Sequence, residues 1–295
     1  MSDSIGRNSI GKVRAALRER GEATRPQLAA ATGLSAVSVG RAVQQLCASG
    51  EAELRGEAGA GRGRPAELYR FKAESRIAAL FKAERTGNLC TGQLELLDCC
   101  GQVKRREEAR FALLHAQSLD DLLDELCEGR RLSAITLSLP SDLTPSRLAA
   151  HLRGRFGCPV RRISRAMALA DETEGSLTLY LPPGEAPEAC LRRGGRLQPC
   201  GRLQLLPLPA DWASLNPDDH TLLEEMVARL LLITVCTLAP ERLTAYAPFW
   251  TERLMNRIRY NFSTKMRGYP APKLAFRPLR TRQVDEGLRR LSLAD

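Results

Sequence analysis

The sequence lacks any apolar run of the roughly 18–20 residues that a membrane-spanning helix needs. Its longest apolar segment, Met226 to Leu238, contains Arg229 and is better interpreted as a buried helix. The N-terminal sequence, MSDSIGRNSIGK, has no apolar core of the kind that defines a secretory signal peptide. These absences exclude the membrane and secreted classes, and we expect a soluble, cytoplasmic protein.

The sequence also lacks a Cys-x-x-Cys pair, the common signature of zinc sites and dithiol redox chemistry. Its nine cysteines are odd in number and irregularly spaced, and the adjacent Cys99 and Cys100 are poorly placed for an ordinary disulfide. We therefore expect reduced thiols that serve mostly as small core residues. No metal or cofactor is expected.

The net charge of +10 is unevenly distributed. Residues 1–72 contain 12 Lys/Arg and 7 Asp/Glu, a net +5, and residues 252–295 contain 11 and 4, a net +7. The middle of the chain is close to neutral. A basic N-terminal region and a basic C-terminal region are typical of a protein that faces a polyanion. Charge alone does not prove such a role, because charge runs are often only solvated surfaces.

Apolar residues recur at helical spacing in the first part of the chain. Residues 9–20 form the first such segment, and Gly21 ends it. Thr24 precedes a second helix, with Pro26 in the first turn and Gln27 at the position that completes a capping box.

Gly33 separates this helix from a third, which Ser35 caps and Gly50 ends. Two short helices joined by a glycine-centred turn are the helix-turn-helix pattern. The segment TRPQLAAATGLSAVSVGRAVQQL resembles that motif in detail, with small alanines where the helices must touch. We interpret this segment as a DNA-reading motif.

Two short strands are predicted after the third helix, at 51–55 and 67–72, with the glycine-rich loop GEAGAGRGRP between them. This arrangement predicts a β-wing, whose tip resembles the Arg-Gly-Arg-Pro core of AT-hook peptides. Arg62 and Arg64 would then enter a narrow minor groove, where the negative potential attracts arginine. The alternative is a flexible basic linker.

The start of the third helix is the part expected to enter the major groove. The residues expected to face base edges are Ala36, Val37, Gly40 and Arg41. Arg41 is the candidate for a bidentate contact to guanine, and Ala36 and Val37 for packing against thymine methyl groups. Contacts to phosphates, which fix register without reading sequence, are expected from Thr24, Arg25 and Ser38.

From residue 76 onward, predicted strands and helices alternate. The first set comprises strands 77–83, 89–97, 102–111, 134–139 and 159–164, with helices 118–129 and 144–156. The second set comprises strands 177–181, 203–207, 242–247 and 273–279, with helices 217–238, 249–265 and 281–293. This order predicts an α/β domain of two lobes.

A winged helix that ends in Gly-Arg-Pro, followed by three strands and two lobes, resembles the ROK family of repressors and sugar kinases. LELLDCCGQV resembles the family's second-to-third strand hairpin, and CTLAPERLTAYAP its passage from a long helix into a Pro-Glu strand. The resemblance covers nearly the whole chain and is specific over residues 9–72. It implies a winged helix-turn-helix over 1–72 and, over 73–295, a shortened, degenerate ROK-type domain with an actin-like, ribonuclease-H-like fold.

The sequence departs from the family where the kinases carry their catalytic residues. The first phosphate loop reads FKAERTG at 81–87, without the aspartate and glycines that wrap a phosphate, and the second is reduced to SLPS at 138–141. Arg165 stands at the position of the catalytic base, and a guanidinium cannot accept a proton from a sugar hydroxyl. At 199–202 the zinc and sugar motif is reduced to PCGR.

We therefore expect no catalytic residues and no enzyme activity. Arg165 could instead hold an anionic effector such as a sugar phosphate, or simply pair with a neighbour such as Asp171 or Glu172. The predicted function is that of a DNA-binding transcriptional regulator, a repressor of carbohydrate-related genes that acts on duplex DNA as a homodimer and responds to a sugar or sugar phosphate. The alternatives are an architectural DNA-binding protein and an active sugar kinase.

Overall fold

The computed structural model describes residues 2–58, 66–86, 89–111, 116–140, 146–182, 185–201 and 220–293. The chain divides into two compact units, Met1–Ile77 with Leu97–Lys104, and Ala78–Leu96 with Arg105–Asp295. The first unit therefore includes a hairpin turn, 97–104, from further along the chain. In the described part of the chain, no helix is both long enough and apolar enough to cross a membrane.

The first unit contains three helices and a small antiparallel sheet. Its elements are α1 (Ser2–Arg20), β1 (Glu22–Thr24), α2 (Arg25–Thr32), α3 (Ala36–Ala48), β2 (Ala52–Ala58) and β3 (Ala66–Phe71). The sheet order is β1-β3-β2, with Ala23 and Leu54 both opposite Tyr69. The three predicted helices and two predicted strands are confirmed. The three-residue strand β1 was not predicted, because so short a segment carries no periodicity.

The core of this unit lies between the helices and the sheet. Its buried side chains include Val13, Leu17, Leu28, Val39, Val43 and Leu46. These residues are the apolar stripes of α1, α2 and α3, so the helical periodicity of the sequence corresponds directly to the packed faces.

The second unit contains most of a five-stranded sheet with order β6-β5-β4-β7-β8. Its elements are β4 (Ile77–Thr86), β5 (Leu89–Asp98), β6 (Val103–Phe111), α4 (Ala116–Cys127), β7 (Leu132–Ser138), α5 (Ser146–Phe156) and β8 (Val160–Arg162). Strands β7 and β8 are parallel, as a strand–helix–strand crossover requires. The predicted strands and helices of this lobe are confirmed, with small differences at their ends.

A second sheet, with order β11-β10-β9-β12-β13, forms the other lobe of this unit. The elements from Arg165 onward are α6 (Arg165–Leu169), β9 (Ser176–Tyr180), β10 (Glu188–Arg193), β11 (Arg196–Pro199), α7 (His220–Leu238), β12 (Arg242–Ala247), α8 (Glu252–Lys265), β13 (Lys273–Pro278) and α9 (Thr281–Ser292). Helices α7 and α8 pack on this sheet through a core that includes Leu231, Ile258 and Phe262. The predicted α/β class with two lobes is confirmed at this level.

Two details of the second unit differ from the sequence predictions, and one predicted strand lies outside the described residues. The hairpin of β10 and β11 was not predicted, and the predicted strand at 203–207 lies outside the described residues. The predicted strand at 159–164 is shorter because Ser164 caps α6, its Oγ accepting a hydrogen bond from the Met167 N–H at 3.2 Å.

Candidate nucleic-acid interface

Helix α2 begins at a capping box, as the sequence predicts. The Thr24 N–H donates to Gln27 Oε1 at 2.8 Å, and the Gln27 N–H donates to Thr24 Oγ1 at 3.4 Å. Thr24 is buried, so its hydroxyl first of all holds the end of the helix. A phosphate contact from this residue would use the remaining hydroxyl hydrogen or the helix N-terminus.

The turn between α2 and α3 is fixed by backbone geometry. Gly33 has φ +69°, a left-handed conformation that a side chain would strain, and its N–H donates to the Ala29 carbonyl at 2.9 Å. Ser35 then caps α3, accepting from the Ser38 N–H at 3.3 Å, and its Oγ donates to Ser38 Oγ at 3.0 Å. Ser35 is therefore a cap, and the hydroxyl of the half-buried Ser38 is engaged by it.

Helix α3 has one buried face and one exposed face. Val39, Ala42, Val43 and Leu46 are buried against the core. Ala36, Val37 and Arg41 are exposed, and Val37 keeps 66% of its surface accessible, more than any other large apolar side chain described in this unit. This end of α3 is therefore accessible to a partner.

Arg41 and Gly40 present complementary features on this face. The Arg41 guanidinium forms no ion pair with any residue in the described ranges, so its donors are free for a ligand. At Gly40, a hypothetical Cβ would meet nothing within 4 Å, so the missing side chain leaves open space over the backbone. The structure thus brings the four predicted base-facing residues, Ala36, Val37, Gly40 and Arg41, to one end of a single helix.

Gln44 and Gln45 are exposed on the same helix and were not predicted as site residues. Gln44 follows Arg41 by three residues and Val37 by seven, which places the three side chains on one face. Its amide can form the bidentate contact that recognises adenine. The sequence contained a signal for Gln44, because it lies one helical turn beyond Arg41 and therefore on the same face of α3.

Arg25 is held within the protein. Its guanidinium lies 2.8 Å from Glu67 Oε2, donates to the Tyr69 hydroxyl at 2.5 Å and stacks 5.3 Å from the Tyr69 ring centroid. Burial and the hydrogen bond to Glu67 raise the pKa of Tyr69, so the phenol stays protonated. Arg25 therefore links α2 to β3. It could bind a phosphate only if its ion pair with Glu67 were broken.

The strands that lead into the predicted wing are paired as far as Ala58 and Ala66. A bulge between Leu54 and Gly56 twists β2, with Gly56 at φ +141°, and Leu54 is 56% exposed. Arg62 and Arg64 lie outside the described residues.

Just after the C-terminal end of α3, Glu51 is almost fully buried and binds two arginines. Arg14 Nε lies 2.6 Å from its Oε2, and Arg76 Nη2 lies 2.8 Å from its Oε1. Burial alone would raise the pKa of Glu51, but these two guanidinium groups hold it below its usual range. The ionised carboxylate links the end of α3 to α1 and to the residues after β3.

In the second unit, Arg165 is buried and already paired. Its Nη1 lies 2.5 Å from Glu185 Oε2, its Nη2 donates to the Ala83 carbonyl at 2.6 Å, and its guanidinium lies 5.7 Å from the Tyr180 ring centroid. Glu188 Oε2 accepts the Arg165 N–H at 2.7 Å, and burial raises the pKa of this carboxyl.

The expected partners Asp171 and Glu172 are therefore replaced by Glu185, a residue twenty positions along the chain. Asp171 instead accepts hydrogen bonds from the Thr173 N–H and the Ser176 hydroxyl. Sequence proximity suggested the wrong partner because β9 intervenes and the chain returns to α6 only after it.

The segment aligned with the first phosphate loop remains part of strand β4 through Thr86. Lys82 Nζ lies 2.7 Å from Asp285 Oδ1 and 3.4 Å from Glu95 Oε1. Glu95 is fully buried and also binds Arg106 and Arg289. Burial raises the pKa of this carboxyl, but the neighbouring cations outweigh burial and hold the pKa below its usual range. The lysine thus belongs to an ionic cluster with α9.

Within the described residues, no group of three or more His, Cys, Asp or Glu side chains is placed to hold a metal ion. Cys200 follows β11 directly, where its N–H donates to the Ala189 carbonyl at 2.8 Å. The rest of the sequence that aligns with the zinc loop, from Arg202 onward, lies outside the described ranges.

No family model matches the sequence, and no curated protein matches it significantly. Among solved structures, a ROK family transcriptional regulator described as a homologue of the E. coli MLC protein is similar over 98% of this chain and 99% of that chain. The TM-score is 0.60, at 13% identity. The likeness establishes that the two proteins share a fold along nearly their whole lengths.

Two sugar kinases give weaker likenesses. A ROK hexokinase from Thermus thermophilus is similar over 72% of this chain and 98% of that chain, with a TM-score of 0.49 at 18% identity. A glucokinase from Balamuthia mandrillaris, solved in complex with glucose, is similar over 74% of this chain and 94% of that chain, with a TM-score of 0.47 at 9% identity.

Proposed function

We propose that the chain is a DNA-binding transcriptional regulator that reads duplex DNA with a winged helix-turn-helix formed by residues 1–72. The observation that carries the proposal is the exposed face of α3, where Val37, Gly40 and Arg41 lie together without internal partners. A capped helix preceded by a rigid glycine turn is the geometry that places such a face in the major groove. The shared fold with a ROK transcriptional regulator supports the proposal.

The proposed contacts divide into two classes. Ala36, Val37, Gly40 and Arg41 face base edges, and Gln44 extends this set by one helical turn. Thr24, Arg25 and Ser38 contact phosphates through the helix ends, with Arg25 released from Glu67 by the competing phosphate. Arg62 and Arg64 contact the minor groove from the wing.

Arg41→Ala tests the reader directly. We expect it to weaken binding to the cognate operator by about 1–3 kcal/mol and to relax selectivity at one base pair, because a bidentate contact to guanine is lost. The measurement is fluorescence anisotropy with an operator selected from a random duplex library and with point variants of that operator.

Arg282→Ala is the matched control for that experiment, because Arg282 is 89% exposed in the second unit and pairs only with Glu286 among the described residues. The control should leave affinity and selectivity unchanged. Equal selectivity of the Arg41→Ala variant and the wild type at every base pair would refute the assignment of α3 as the reading helix.

We further propose that the second unit is an effector and dimerisation domain without catalytic activity. Arg165, at the position aligned with a base, is sequestered by Glu185 and the Ala83 carbonyl, and Lys82 is sequestered by Asp285. The resemblance to the ROK family adds the finer proposal of a homodimeric repressor of carbohydrate-related genes, responding to a sugar or sugar phosphate. An anionic effector would reach Arg165 only by displacing Glu185.

A further inference from the structure

The strongest concentration of charge in the chain lies around helix α8. Residues 252–280 contain eight Lys/Arg and a single acidic residue, Glu252, which gives a net charge of +7. Arg257 is paired with Glu224 of α7, and the remaining positive charge favours an anionic partner.

The inner face of α8 is occupied by the core. Leu254, Ile258 and Phe262 are buried, each at most 2% exposed, beneath the sheet of the second lobe. This face satisfies the apolar requirement of the helix, so the opposite face is not needed for folding.

The outer face carries a stripe of cationic and aromatic side chains. Arg253, Arg257, Tyr260 and Thr264 follow one another at i, i+4, i+7 and i+11, which places them on one side of the helix. Tyr260 and, just beyond the helix, Tyr269 are each 72% exposed. These side chains present hydrogen-bond donors and positive charge on an accessible face.

Some of these cations have partners within the protein. Arg257 Nε lies 2.6 Å from Glu224 Oε2, and Arg259 stacks 5.1 Å from the Phe276 ring centroid. Arg253, Lys265 and Arg267 are exposed and form no ion pair with any described residue. Among the cations of α8 and the turn directly after it, these three side chains have no ion pair or ring contact within the described residues.

We propose that Arg253, Tyr260, Lys265, Arg267 and Tyr269, the α8 surface, form a second, sequence-independent contact with the phosphate backbone of duplex DNA. The inference rests on the proposed function and deepens it, since it adds a surface in the second unit to the reader in the first. Its cations neutralise phosphates, and the tyrosine hydroxyls donate hydrogen bonds to phosphate oxygens.

Length and composition favour DNA over an acidic protein. At 1.5 Å per residue, the stripe from Arg253 to Thr264 is about 16 Å long, enough to meet several consecutive phosphates of one strand. Arginine and tyrosine are enriched at protein interfaces as well, but lysine is depleted there, so Lys265 is the residue whose type favours DNA. The α8 surface offers no exposed aliphatic side chain on its own residues.

The test uses the full chain in which the reader is disabled by Arg41→Ala, Arg62→Ala and Arg64→Ala. Binding to a duplex of arbitrary sequence is measured by anisotropy over a range of salt concentrations. Residual binding is expected, with a logarithmic salt slope of about 0.9 per phosphate neutralised. Adding Arg253→Gln, Lys265→Gln and Arg267→Gln to this variant should abolish the residual binding. In the wild-type protein, the same three changes should lower the salt slope of DNA binding and leave the sequence preference unchanged.

The matched control replaces Arg229 and Arg282 by glutamine, since both are exposed and each is held in an i,i+4 ion pair. Far-ultraviolet circular dichroism confirms that each variant is folded. Two outcomes overturn the second contact: residual binding that the α8 changes leave unaltered, and no residual binding once the reader is disabled. Neither outcome contradicts the proposal that α3 reads DNA.

Absence of duplex binding by the wild type refutes the proposed function itself. Polyglutamate is a second probe. If the protein binds polyglutamate and the α8 changes abolish that binding without affecting duplex binding, the partner is an acidic protein and the proposal is overturned.

Discussion

Glu51 illustrates how a single buried charge organises the first unit. It follows Gly50 at the end of the α3 segment and receives hydrogen bonds from Arg14, Arg76 and Ser49. A carboxylate buried in this way is costly unless it is paired, and the two guanidinium groups satisfy it. The orientation of α3, and with it the reading face, depends in part on this residue.

We predict that Glu51→Gln destabilises the first unit by about 1–3 kcal/mol, because it removes the buried charged acceptor that Arg14 and Arg76 share. The free energy of unfolding is measured with urea. Glu53→Gln is the control, since the half-buried Glu53 keeps 42% of its side chain accessible and lies 3.6 Å from Lys72 Nζ.

The effect should also depend on pH. The pKa of Glu51 in the folded protein lies below the ordinary glutamate value, so its contribution is complete above that ordinary value and is lost as the pH falls through the folded pKa. Wild type and variant should therefore converge in stability in acid. A constant difference at all pH values would show that the ion pairs do not account for the effect.

The cysteines agree with one expectation at the residue scale. Cys90, Cys127, Cys158 and Cys190 are buried, three others are half-buried, and Cys100 and Cys236 are exposed. The three half-buried thiols pack against the cores, so most of the cysteines contribute to a core, as the sequence predicts. Composition predicts how often a thiol is buried, but its neighbours on the strand or helix decide each case.

At the scale of elements, the contact between α6 and α9 is unusually close. Gly287 of α9 lies so near α6 that a Cβ built on it would stand 2.0 Å from the Ala168 carbonyl oxygen. A backbone atom cannot move aside as a side chain can, so only glycine fits here. This contact also brings Asp285 and Arg289 to Lys82 and Glu95.

We predict that Gly287→Ala destabilises the second unit by about 1–3 kcal/mol or more, because the helices must separate. Gly154→Ala in α5 is the control, since a Cβ there meets nothing within 4 Å and should gain about 0.5–1 kcal/mol of helix stability. Both are measured by urea unfolding. A Gly287→Ala variant as stable as the wild type would mean that the helices are further apart than in this structure.

At the scale of the whole molecule, residues that are distant in sequence meet in one ionic cluster. Arg289 binds Glu95 through two hydrogen bonds of 2.8 Å, although 194 positions separate them. Lys82, Arg106 and Asp285 complete the cluster. These charges neutralise one another within the fold, and Lys82 lies in the segment that resembles the first phosphate loop of the kinases.

We therefore predict no phosphoryl transfer by the whole protein. With ATP, Mg²⁺ and a panel of hexoses, ADP release should not exceed the rate without protein, since phosphoryl transfer depends on positioned phosphate loops and a base. A coupled assay for ADP measures this. Turnover above the blank that Arg165→Ala abolishes would show that Arg165 takes part in catalysis and that the alignment of 164–167 is wrong.

The sequence by itself determined the elements whose signals are local. Helical spacing, the Thr24 capping box and the Gly33 turn follow from interactions within a few residues, so the helices of the first unit and their exposed face could be predicted. The alternation of strands and helices likewise predicted an α/β unit of two lobes.

Only the tertiary structure decided the partners. The pairing of Arg165 with Glu185, of Arg25 with Glu67 and of Glu95 with Arg289 spans 20 to 194 positions, and nothing local encodes such distances. The outer stripe of α8 became a distinct surface only when packing buried Leu254, Ile258 and Phe262. Charge and periodicity can be read from the sequence. The internal pairing of those charges depends on tertiary contacts between elements that are distant in the sequence.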